Sequence, residues 1–182
     1  MPARIRSATA EDATGVAVVH VETWREAYRG LIDQSVLDAQ RVERRAEMWT
    51  RWIDRSLAGR PSYGDGGVAH SMLVAELAGD IVGWATFGEG RDRGDTDRGE
   101  LAGLYVLPSC WGLGLGHSLI ERAELALRDE GWREAYLWVL HGNERAARFY
   151  ERHGWHADGA EKIGAAGGAT GLRELRHVRR LE

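Results

Sequence analysis

Three glycines at every second position, Gly112, Gly114 and Gly116, separate an apolar run from a helical pattern. The run, residues 101–107, is stopped by Pro108 and reads as a buried strand, with Gly103 marking a bulge or a close backbone approach. Beyond the glycines, Leu119, Ile120, Ala123, Ala126 and Leu127 recur at helical steps until Gly131 supplies a stop. The first amides of a helix lack internal partners and carry partial positive charge. Glycines let several of them crowd one anion without Cβ clashes. The expected chemistry is therefore anion capture, with a pyrophosphate seated over residues 113–118.

Residue types narrow the ligand. A Walker loop needs lysine and a first glycine where this chain has His117 and Trp111. The dinucleotide fingerprint needs a third glycine at His117 or Leu119, and the strand expected near 136–140 lacks a terminal acid for a ribose. Both common nucleotide loops fail on these grounds.

A second constellation lies at 143–155. Asn143 is a good N-cap and Gly154 a good stop, and residues seven apart on a helix share a face, which aligns Asn143 with Tyr150.

The run Leu-Tyr-Val-Leu-Pro-Ser-Cys-Trp-Gly-Leu-Gly-Leu-Gly resembles the pyrophosphate loop of the GNAT superfamily of acetyl-CoA-dependent N-acetyltransferases, with Trp111 in place of the usual arginine or glutamine. The segment Asn143 to Trp155 resembles that family's Asn-x-x-Ala-x-x-Phe-Tyr-x-x-x-Gly-Phe signature, with Trp155 for phenylalanine. His20 to Gly30 looks like its first helix and turn. The resemblance spans nearly the whole chain. It implies coenzyme A contacts at Leu104, Tyr105, Val106, Trp111, Gly112, Leu113, Gly114, Leu115, Gly116, His117, Ser118, Asn143 and Tyr150, with Trp24 and Tyr28 on the acceptor side. It implies acetyl transfer to a primary amine of a small molecule or peptide, with Tyr150 protonating the leaving thiolate. An acyl-CoA-binding sensor on the same fold is the alternative.

Such chemistry also needs a neutral amine. A lysine-like acceptor, with a pKa of about 10.4, costs roughly 4–5 kcal/mol to deprotonate at pH 7. A carboxylate can carry that proton. Glu100, at the start of the central strand, is the expected base, with His141 second. Backbone donors at Tyr105 and Val106 are expected to polarise the carbonyl.

The elements that must position these groups read as follows. A first strand at 4–8 leads to a helix ended by Gly30 and a second helix over 35–57 burying Trp49, Trp52 and Ile53. Two runs, 72–77 and 81–87, form a hairpin around Ala78-Gly79-Asp80. The glycine turn and its helix then join two parallel strands. Strands at 155–163 and 172–181 close the fold around a loop at 164–171. The expected architecture is one α/β (α+β) domain over 1–182, a mixed, partly antiparallel and partly parallel central sheet flanked by helices.

Composition fits this. The 182 residues are 43% hydrophobic and 29% charged, with net charge −4. Arginines interleaved with acids argue against nucleic acid, no apolar run of membrane length is present, and the first residues are not expected to act as a secretory leader. A lone Cys110 leads us to expect a cytoplasmic protein without disulfides or metal, and a homodimer stays open.

Overall fold

A computed structural model describes residues 3–63, 67–92 and 97–182. Parts of the expected loops at 59–67 and 88–99 therefore lie outside the described residues. In chain order the elements are β1 (Arg4–Ser7), α1 (Ala13–Ala27), α2 (Gln34–Asp38), α3 (Val42–Leu57), β2 (His70–Leu77), β3 (Asp80–Glu89), β4 (Gly99–Val106), α4 (Leu115–Asp129), β5 (Glu134–Leu140), α5 (Glu144–Arg152), β6 (His156–Ala166) and β7 (Ala169–Arg180).

The strands form one seven-stranded sheet in the order β1-β2-β3-β4-β5-β7-β6. Neighbours pair antiparallel except β4 and β5, which run parallel. Alternation sorts side chains between two cores. Leu73, Ala75 and Ala85 face Leu119, Ile120 and Leu127 of α4. Met72, Val74 and Trp84 face Val16 and Val19 of α1 and Trp49, Trp52 and Ile53 of α3. The mixed sheet between helical layers is the expected architecture.

Two elements differ from expectation. The helix expected over 35–57 is two helices, α2 and α3, broken at 39–41. The chain leaves the helical path there because buried Gln40 is used elsewhere. Its Nε2 donates to the Val36 and Gly167 carbonyls at 3.0 and 2.7 Å, and its Oε1 accepts from Arg45 at 2.7 Å. The loop expected at 164–171 shrinks to a turn at Gly167 and Gly168, since Gly164 pairs with Leu172 and Ala165 with Thr170. Small residues there hid a ladder built from backbone groups alone.

The geometry that matters most is the seam between β4 and β5. They pair only at Gly99–Ala135 and Glu100–Tyr136, then diverge. A bulge helps turn β4 away: Thr86 opposes Gly103 while Phe87 opposes Leu101, leaving Ala102 over. Gly103 also meets a close approach, because a Cβ there would sit 3.0 Å from Trp84 and 3.3 Å from Tyr105. No helix among the described residues is long and apolar enough to cross a membrane.

Candidate active site

The diverging strands open a cleft of about 590 Å³ walled by β4, β5, the glycine turn and α5. Gly112 and Gly114 adopt φ of 83° and 80°, which only glycine accepts without strain. That path bends the chain so that α4 begins at Leu115 with its amides facing the cleft. Among the described residues, the amides of Gly112, Gly114, Leu115, Gly116 and His117 donate to none of the chain's carbonyls. Those of Leu113 and Ser118 are spent, on Cys110 at 3.4 Å and Gly114 at 3.0 Å. Neither residue lines the cleft, so the cradle runs from Gly112 to His117 without them. Gly116 lets α5 close in, since a Cβ there would lie 3.3 Å from the Phe149 ring.

Backbone alternation decides which strand amides face the cleft. Leu107 donates to the Val82 carbonyl at 2.8 Å, so Val106 and Leu104 turn their amides to the open edge. Tyr105 lies in phase with Leu107, and its amide turns toward β3, which removes it from the pair expected to polarise a carbonyl. The Val106 carbonyl accepts from Trp111 Nε1 at 2.7 Å and from Thr23 Oγ1 at 3.2 Å. Trp111 thus ties the glycine turn to the end of β4.

Asn143 caps α5, its Oδ1 accepting from the Ala146 amide at 3.1 Å, and its side-chain NH₂ is left for the cleft it lines. Tyr150 follows on the same face, buried at the cleft wall. Burial first, then Tyr105, holds its hydroxyl well above the ordinary tyrosine range, so it stays a proton donor. Across the cleft the Tyr28 and Tyr105 hydroxyls meet at 3.2 Å, and burial pushes both upward.

Three sequence expectations are corrected here. Glu100 is 1% exposed and lies outside the cleft lining. Both its oxygens are held by Arg91, at 2.6 and 2.7 Å from the guanidinium, with the Arg91 amide adding a bond at 3.2 Å. A carboxylate so engaged has no free lone pair aimed at an acceptor, and the base assignment is withdrawn. His141 is exposed and also lines no part of the cleft. Trp24 is buried beneath the β6–β7 turn, where a Cβ on Gly167 would fall 2.4 Å from its ring, so it supports the acceptor side without lining it. Tyr28 does line it.

Sequence reading missed two arginines and a histidine. Arg145, Arg152 and His153 line the cleft beside the free amides, together with the expected His117. Arg145 lies over the Trp111 ring. His153 donates from Nδ1 to the Phe149 carbonyl at 2.8 Å, so its Nε2 accepts from His117 Nδ1 at 2.9 Å. The seven-residue step from Arg145 to Arg152 was the available signal, matching that from Asn143 to Tyr150. Among the described residues no group of His, Cys, Asp and Glu could hold a metal ion.

Comparison with known proteins identifies the family and the fold. The model of the Acetyltransferase (GNAT) family matches residues 22–155. A probable N-acetyltransferase of Mycobacterium tuberculosis is 31% identical over 156 residues, 86% of this chain and 81% of that protein. An uncharacterized N-acetyltransferase of Bacillus subtilis is 27% identical over 139 residues, 76% of this chain and 72% of that one. The structure of PaiA N-acetyltransferase from Thermoplasma acidophilum, in complex with coenzyme A, superposes with a TM-score of 0.75 at 19% identity, covering 99% of both chains. That of YncA from Salmonella typhimurium, a putative acetyltransferase with its cofactor acetyl-CoA, gives 0.70 at 21% identity over 100% of this chain and 95% of that one. The protein is an acetyltransferase of the GNAT family.

Proposed function

We propose that this chain moves an acetyl group from acetyl-CoA to a primary amine of a small molecule or peptide by direct attack on the thioester. The observation that carries this reading is the set of unspent amides from Gly112 to His117 at one end of a cleft with Tyr150 on its wall. The residues fit coenzyme A by type. Five amides and the cations of Arg145 and Arg152 suit the diphosphate. The open edge of β4, with the Leu104 and Val106 amides, suits the pantetheine arm as an added strand would. Asn143 offers donors beside it.

When bound, acetyl-CoA would supply an activated acetyl group as its thioester. The chain's own part is to align, polarise and move protons. The Val106 amide is positioned to hydrogen-bond a carbonyl oxygen lying along the β4 edge. Tyr150, kept neutral by burial, delivers a proton to sulfur. Holding donor and acceptor together supplies much of the remaining acceleration.

The test pairs binding with turnover. Acetyl-CoA at 100 times its Kd should raise native stability by about 2.7 kcal/mol, while ATP and NAD leave it unmoved. A panel of amines should release free thiol only when the acceptor is present. Binding without acceptor-dependent thiol release would reduce the protein to a sensor of the cofactor.

A further inference from the structure

On the face of β5, β7 and β6 nearest α1, the described carboxylates are nearly all committed. Glu100 is held by Arg91, and Asp158 by Arg176 at 2.8 Å. Asp92 accepts from Trp138 Nε1 at 2.9 Å and lies 3.6 Å from Lys162 Nζ. Glu174 is the exception: half-buried, it makes no hydrogen bond or ion pair among the described residues. Its place is built. Lys162 opposes it across the hairpin without bonding to it, its ammonium lying instead 3.6 Å from Asp92. Gly164 lies two residues further along β6, and a Cβ there would fall 2.7 Å from Glu174 Oε2, so the missing side chain makes the niche that the carboxylate fills. Its cross-strand neighbour on β5 is Leu140, a cleft residue. Its charge also reaches the Tyr28 and Tyr105 hydroxyls, both on the cleft wall.

Resting on the acetyl-transfer reading above, we propose that Glu174 is the general base of this enzyme and the counter-ion of its acceptor, a primary amine carrying one ammonium on an apolar body. Glu174 does not itself line the cleft but stands behind its wall beside Leu140, and an unbonded carboxylate there attracts the acceptor's ammonium and can take its proton through one bridging water. Burial raises Glu174 from the ordinary carboxylate range, which suits a base working near neutrality. The charges facing it are mixed: Lys162 and Arg91 favour its ionised form, Asp92 and Glu100 oppose it. The surroundings set the substrate class. Tyr28, Tyr105, Leu140 and Leu172 belong to one apolar cluster. The neighbouring acids are spent, so nothing described there would receive a second or third ammonium of a polyamine.

Protons and bonds balance. The ammonium gives one proton to Glu174, and the freed lone pair forms the N–C bond as the C–S bond breaks. The second proton passes from the nitrogen to the Tyr150 oxygen as that hydroxyl gives its own proton to sulfur, which restores Tyr150, and Glu174 returns its proton to solvent.

The test uses the full chain, with phenethylamine as the singly charged probe and spermidine as the multiply charged one. Glu174→Gln should lower kcat/KM for phenethylamine about 100-fold at pH 7, with the deficit shrinking toward about pH 10, where the amine is neutral unaided. Calorimetric affinity of the coenzyme A-saturated protein for phenethylamine should drop about tenfold, while acetyl-CoA affinity holds. Gly164→Ala, which keeps the acid but fills its niche, should fall between parent and Glu174→Gln. An unchanged kcat/KM, pH profile and amine affinity in Glu174→Gln would overturn the assignment and leave acetyl transfer standing. A parent that prefers spermidine overturns the substrate class. A parent that binds acetyl-CoA yet acetylates no amine removes both readings together.

Discussion

The guanidinium of Arg145 lies 3.0 Å above the indole of Trp111, joining α5 to the glycine turn. The turn carries a tryptophan where the related loops carry arginine or glutamine. The stacked pair returns a cation to that place from another element. Arg145→Ala should weaken acetyl-CoA about tenfold at low salt and by much less near 1 M, where the Debye length is only about 3 Å. Trp111→Ala should cost more at every salt concentration, because it also removes the 2.7 Å bond to the Val106 carbonyl. Titration calorimetry across ionic strengths checks both; a salt-independent Arg145→Ala effect would contradict a role on phosphate.

Tyr150 is asked to hold and deliver one proton. Tyr150→Phe keeps the ring that packs on Phe149, with centroids 5.3 Å apart, and removes only the hydroxyl. Turnover with a saturating acceptor should fall about 100-fold while acetyl-CoA affinity stays put. Steady-state kinetics with direct binding separates the two, and an unchanged kcat would take Tyr150 out of the chemistry.

Glu100 should behave as a structural acid. Removing Arg91 strands a buried carboxylate, so Arg91→Met is expected to lower stability by about 3 kcal/mol. Glu100→Gln should lower the melting temperature yet leave the acidic limb of the pH–rate profile where it was. A shifted limb in Glu100→Gln would return the base role to this residue.

How much of this was legible beforehand follows from the range of each interaction. The glycine turn, the Asn143 cap and the alternation of β2 and β3 are local, and their residues announce them. The parallel crossover follows from a strand, a helix and a strand in succession. Glu100 misled because a carboxylate at a strand start looks the same free or paired. Its partner, Arg91, sits nine residues away in a loop of interleaved charges. Glu174 was hidden for the converse reason: in a run of arginines it reads as one more paired acid, and only the assembled sheet leaves it alone. The break at Gln40 depends on the Gly167 carbonyl, 127 residues later, which no local pattern foretells.

His20 gives the fold a pH dependence of its own. It is buried among Trp24, Trp49, Trp84 and Tyr105, with ring centroids 5.4–5.8 Å away and neither ring nitrogen hydrogen-bonded. Burial, aided by Arg45, depresses its pKa from 6.5 to about 3. Below 6.5 the unfolded chain therefore binds a proton that the folded one refuses. Stability should fall as pH drops through that window, by a few kcal/mol on the order of what such a depression implies. His20→Leu should lose less stability between pH 7 and about pH 5 than the parent, read by chemical denaturation at each pH. Parallel losses in the two proteins would mean the imidazole already charges in the fold.

The central claim concerns five amides. Titrating coenzyme A into the ¹⁵N-labelled protein follows them directly. The account predicts that the Gly112, Gly114, Leu115, Gly116 and His117 amide resonances move downfield together and saturate with the binding isotherm, with Leu113 and Ser118 moving little. Coenzyme A binding that saturates while those five resonances stay in place would contradict it.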